Sequence, residues 1–134
     1  MDLAQTYLMT IFALGSVAAL MLCQLLVADI MGLRTKHVPG SQVPTDHGNP
    51  LCRASRVVAN TNESIAIFIV AVLFCMLSGA PASATGYSAW AFFMTRVLYA
   101  VCYYLNWQLT RSAMFGLSLV AIGTLLVNGF SVWL

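Results

Sequence analysis

The segment "RASRVVANTNES", residues 53–64, opens a long apolar run, and it places Arg53, Arg56, Asn60 and Glu63 at i, i+3, i+7 and i+10. On an α-helix those positions fall within one narrow stripe. A second stripe, Arg96, Tyr99 and Tyr103 at i, i+3 and i+7, lies in "TRVLYAVCYYLNW", and Arg111 and Ser112 follow soon after. Guanidinium groups hold carboxylates bidentately, a carboxylate takes an ammonium group, and a carboxamide hydrogen-bonds an amide. The combined set therefore suits a small anionic ligand. Arg53 taken alone also suits a headgroup-snorkelling role, and Arg56 with Glu63 suits a structural ion pair. Asn60 and Glu63 lie one to two turns deeper, where a carboxylate facing lipid costs several kcal/mol, so they are expected to face the bundle interior. Arg96, near mid-span, is expected to pair with a carboxylate such as Glu63.

The elements that must position these residues are membrane helices. The chain has 134 residues, 60% hydrophobic and 7% charged, against about 25% charged usage in soluble domains. A spanning helix needs ~20 mostly apolar residues, and the sequence predicts helices over about 4–33, 50–79, 84–107 and 111–133. The second reaches full length only by starting near Pro50, and so it includes the first polar stripe. The first stretch lacks a basic start and a small-residue cleavage site and is read as a retained helix. Pro39, Gly40, Pro44, Gly48 and Pro50 break the first linker, "SGAPASATG" marks the second connection and "NWQLTRS" the third. Short connections favour antiparallel neighbours. The expected fold is all-α: an integral membrane four-helix bundle, up-down antiparallel, one domain over 1–134 that assembles into oligomers.

Arg34, Lys36, Arg53, Arg56 and Arg111 fall in or beside the first and third linkers, whereas the termini and the Gly79–Gly86 turn carry no Lys or Arg. The positive-inside rule puts the basic side in the cytoplasm and both termini opposite. Cys23, Cys52, Cys75 and Cys102 have no metal-ligand spacing, and His37 and His47 stand ten apart in the linker. No metal and no nucleic-acid partner is expected; membrane lipids are.

A ligand with separated carboxylates, one amine and peptide bonds would satisfy every member of the two stripes, and glutathione has that form. The pattern R-x-x-R-x-x-x-N-x-x-E (Arg53, Arg56, Asn60, Glu63), then R-x-x-Y-x-x-x-Y (Arg96, Tyr99, Tyr103), then Arg-Ser at the head of the last helix, resembles the membrane-associated proteins in eicosanoid and glutathione metabolism, the MAPEG family. The resemblance covers essentially the whole chain. It implies a homotrimer with glutathione bound at each subunit interface, open to the cytoplasm, in a bacterial inner membrane or the endoplasmic reticulum. It further implies that Arg56, Asn60 and Glu63 hold the peptide, with Arg53 and Arg96 in the same polar stripes. Tyr99 and Tyr103 would line the site, Arg34 would reach in from the first linker, and the thiol would sit near Arg111, Ser112 and Tyr103. Ser64 and Val58 depart from residues that other members carry there.

The implied chemistry is a transferase or peroxidase acting on a lipophilic electrophile or hydroperoxide that arrives from the bilayer. A free thiol has a pKa of about 8.5 and the thiolate is the nucleophile; lowering that value by about 2 units corresponds to about 2.7 kcal/mol of anion stabilisation, which a permanently charged Arg111 would supply. The alternative is a non-catalytic protein of the same fold that binds lipid or presents it to a partner. A small multidrug transporter fits less well, because it needs a glutamate in the first helix and this chain has only Asp29 near that helix's end.

Overall fold

A computed structural model describes residues 2–134, and they form helices without a strand. Five helices are present among the described residues: α1 (Leu3–Thr6), α2 (Leu8–Arg34), α3 (Pro50–Ser78), α4 (Ala82–Tyr104) and α5 (Gln108–Phe130). Four helices were expected, and the fifth arises at Tyr7. Its backbone turns to φ −105°, ψ 27° and separates α1 from α2. The Tyr7 hydroxyl donates to the Ala80 carbonyl at 2.6 Å, which ties the head of α2 to the turn after α3.

Local chemistry sets the other boundaries. Asn49 caps α3 by accepting from the Leu51 N–H at 2.9 Å, and Pro50 occupies the first turn, where a missing N–H costs nothing. Gly79 ends the helix at φ +75°, a left-handed conformation that residues with a Cβ resist. The chain then turns through Ala80 and Pro81 into α4. Asn106, at φ 61°, makes the corresponding turn between α4 and α5.

Three helices, Leu8–Arg34, Pro50–Ser78 and Gln108–Phe130, are long and apolar enough to cross a membrane. Their outward faces carry Phe12, Leu22, Leu26, Val70, Leu77, Val120 and Val127, all exposed. In water such a surface would be an aggregation liability; in a bilayer it is solvent-matched. Contacts between elements give the packing directions. Met9 of α2 lies against Gly86 of α4, both near their helix starts. Cys75 of α3 donates to Leu125 O of α5 at 3.0 Å, both near their helix ends. Thr124 of α5 meets Ser88 of α4 at 3.0 Å, end against start. Consecutive long helices therefore run antiparallel.

The core is layered. At the Gly79 end Ala13, Val17, Ala71, Val72, Cys75, Ala89, Ala121 and Leu125 pack around a stacked pair, Phe68 and Phe92, with ring centroids 4.0 Å apart. At the linker end Val57, Tyr99, Ala100 and Tyr103 form a second cluster. Arg96 sits near the junction, and it is the largest fully buried side chain among the described residues.

Candidate functional site

Helix α3 buries Leu51, Ala54, Val57, Thr61, Ser64 and Phe68. Arg56, Asn60 and Glu63 each precede one of these residues, so they lie about 100° around the helix from the buried face. Asn60 is half-buried, and Arg56 and Glu63 are exposed. The expectation that Glu63 faces the bundle interior is thus corrected: small and apolar side chains take the interior, and the polar stripe lies at its edge. From α4, Tyr99 and Tyr103 reach that edge, at 5% and 7% exposure. Arg56, Ala59, Asn60, Glu63, Tyr99 and Tyr103 line an open cavity of about 110 Å³.

Arg96 lies behind this cavity, wholly buried. Its Nη1 donates to Asn60 Oδ1 at 2.7 Å and its Nη2 to Ser64 Oγ at 2.6 Å. The guanidinium carbon stands 5.3 Å from the Phe92 ring, 5.6 Å from Tyr99 and 5.3 Å from Phe115. Its hydrogen-bond partners are neutral, its Nε is buried without a partner, and the three rings offer π faces that attract a cation. The expected pairing with Glu63 is therefore replaced by an amide and a hydroxyl. Ser64 was missed as a site residue. The signal was present in its spacing, since it extends Asn60 by one turn along the face toward α4, and a small hydroxyl leaves room for the guanidinium.

Arg111 does not line the cavity but stacks on Tyr103, which does. It sits in the first turn of α5, half-buried, with its guanidinium carbon 4.5 Å from the centroid of the Tyr103 ring. Its Nη1 is buried and has no hydrogen-bond partner. The Tyr103 ring also meets His47 edge-on at 6.0 Å, which packs the first linker over the site.

Besides Arg96 and Arg111, which touch lining residues without lining the cavity themselves, three further sequence-proposed residues are not brought to it. Arg53 Nη1 donates to the carbonyls of His47 and Gly48, at 2.7 and 3.1 Å, and so fastens the linker to α3. Arg34 ends α2 on the exposed surface. Ser112 is exposed and its hydroxyl donates back to Gln108 O at 3.2 Å. No group of three or more His, Cys, Asp and Glu is placed to hold a metal among the described residues.

Arg56 and Glu63 thus line the cavity, Arg96 lies behind it and Arg111 stacks on its Tyr103, so three cations and one carboxylate gather around a mostly polar surface. No curated protein and no solved structure matched the chain. The model of one family does match, over residues 9–131, and that span includes both polar stripes, Arg111 and all four long helices except Leu8 of α2. This chain is a member of the MAPEG family.

Proposed function

We propose that the protein is a glutathione-dependent membrane enzyme, a transferase or peroxidase that acts on lipophilic electrophiles or hydroperoxides. The convergence of Arg56, Asn60, Glu63, Tyr99 and Tyr103 on one cavity, from two helices, is the observation that carries this reading. Arg56 would hold a carboxylate of glutathione, Asn60 a peptide group, and Glu63 the ammonium. Arg111, stacked on Tyr103 with an unpartnered buried N–H, would face the sulfur and stabilise the thiolate. Arg53 then acts at a distance by holding the linker down. A cavity of about 110 Å³ is well below the ~300–1,000 Å³ of pockets that enclose small molecules. The exposure of Arg56 and Glu63 on a membrane helix likewise leaves charge that lipid would not tolerate. Both observations support a site completed by a neighbouring copy, in a homotrimer of four-span subunits. The lipophilic substrate would enter from the bilayer while glutathione enters from the cytoplasm.

The test is turnover. The detergent-solubilised protein, supplied with glutathione and a model lipophilic electrophile or hydroperoxide, is expected to consume both saturably. Glutathione binding without turnover across both substrate classes would overturn the enzyme reading in favour of a non-catalytic member of the fold.

A further inference from the structure

Arginine carries five N–H donors and no acceptor, so the Asn60 atom facing Arg96 Nη1 at 2.7 Å is necessarily the amide oxygen. Asn60 also lines the cavity. With its oxygen held by Arg96, the group left for the cavity is the NH2, which only donates. Ser64 locks the arrangement. Its oxygen accepts from Arg96 Nη2 at 2.6 Å while its own hydrogen goes to Thr61 O at 3.1 Å, so the hydroxyl has no freedom to reverse roles.

We infer that Arg96 is a positioning residue: it does not touch the ligand but fixes the carboxamide of Asn60 in the donor orientation, so that the site demands a carbonyl or carboxylate oxygen at that point. The inference rests on the glutathione reading for the identity of the ligand, though not for the Arg96 geometry. It divides recognition along one face of α3. Arg56 takes an anionic group, Asn60 an uncharged or anionic acceptor one turn on, and Glu63 a cationic donor about one turn beyond that. A ligand carrying an amine opposite Asn60 would meet two N–H groups and be rejected, because unpaired buried donors are costly. The cost to the protein is a wholly buried cation whose hydrogen-bond partners are neutral, offset in part by Phe92, Tyr99 and Phe115.

Asn60→Asp separates the two halves of this inference. It gives Arg96 an anionic partner and removes the donors from the cavity with almost no change of shape. The melting temperature of the ligand-free protein is expected to rise above wild type, while Asn60→Leu lowers it. Affinity for glutathione, measured by titration, is expected to fall more than tenfold in Asn60→Asp. If Asn60 served only as a partner for Arg96, binding would survive that change. Arg96→Gln, whose amide offers Asn60 either a donor or an acceptor, is expected to raise the KM for glutathione about tenfold and leave kcat within about threefold. An Asn60→Asp protein that binds glutathione within twofold of wild type, or that melts below Asn60→Leu, overturns the inference. A wild-type protein that binds no glutathione overturns the functional reading instead, and the order of melting temperatures then decides whether Arg96 holds Asn60.

Discussion

Arg111 stacks on Tyr103 and Glu63 lines the cavity with Tyr99 and Tyr103, and their charges have opposite tasks in the proposed site. Replacing Arg111 by alanine removes the cation stacked 4.5 Å from Tyr103. A loss of about 2 pKa units of thiolate stabilisation, about 2.7 kcal/mol, corresponds to a fall in turnover of roughly 25-fold at pH 7 and approaching about a hundredfold below pH 6. Glutathione should still bind, but the ultraviolet absorbance of its thiolate should vanish. A larger loss from Tyr103→Phe than from Arg111→Ala would assign activation to the phenol. Glu63→Gln acts on binding: a hydrogen bond to a charged group contributes about 1.5–3 kcal/mol, so glutathione affinity should fall ~10-fold or more in a titration. Residue spacing made most of this legible. Two stripes at helical periods identified Arg56, Asn60, Glu63, Tyr99 and Tyr103, because residues at those offsets must share a face. The helix's rotation was not legible, and so Glu63 was expected inside and Arg96 was given a carboxylate. Arg53 had the same spacing as its neighbours, but it lies one turn nearer the linker, where backbone carbonyls compete for its donors.

At the scale of elements, the site depends on how closely the long helices approach. Gly129 in α5 lies under the ring of Phe74 in α3, and a Cβ there would overlap that ring. Phe74 has little freedom to retreat, since it also packs on Phe130 with centroids 4.9 Å apart. Gly129→Ala should therefore destabilise the protein by about 1–3 kcal/mol, the usual range for overpacking, as read by unfolding in detergent. The helix boundaries followed from caps that the sequence displays: Asn49-Pro50 opens α3, Gly79 closes it, and Pro81 starts the next turn. The break at Tyr7 had no such cue. It depends on the Ala80 carbonyl, 73 residues away, and a tertiary hydrogen bond leaves no periodic trace in sequence.

For the molecule as a whole, five of the six Lys and Arg residues fall in or beside the first and third linkers, and the sixth is the buried Arg96. The proposed orientation puts that end in the cytoplasm. A membrane-impermeant thiol label added from outside, in a background where the native cysteines are replaced, should then react with a cysteine at Ser83 and not with one at Gly48. The reverse pattern would separate the site from cytosolic glutathione. Membrane class and family were legible from hydropathy and motif order. The proposed assembly rests instead on the small cavity and on Arg56 and Glu63, left exposed on a helix long enough to span the bilayer. Calorimetric titration of the intact detergent-solubilised protein with glutathione, alongside its native mass, tests the proposed site most directly. Saturable binding at one glutathione per subunit is expected, in a particle of three subunits, with affinity weakened about tenfold or more in Glu63→Gln. A folded wild-type protein that gives no heat of binding with glutathione would contradict the proposed site.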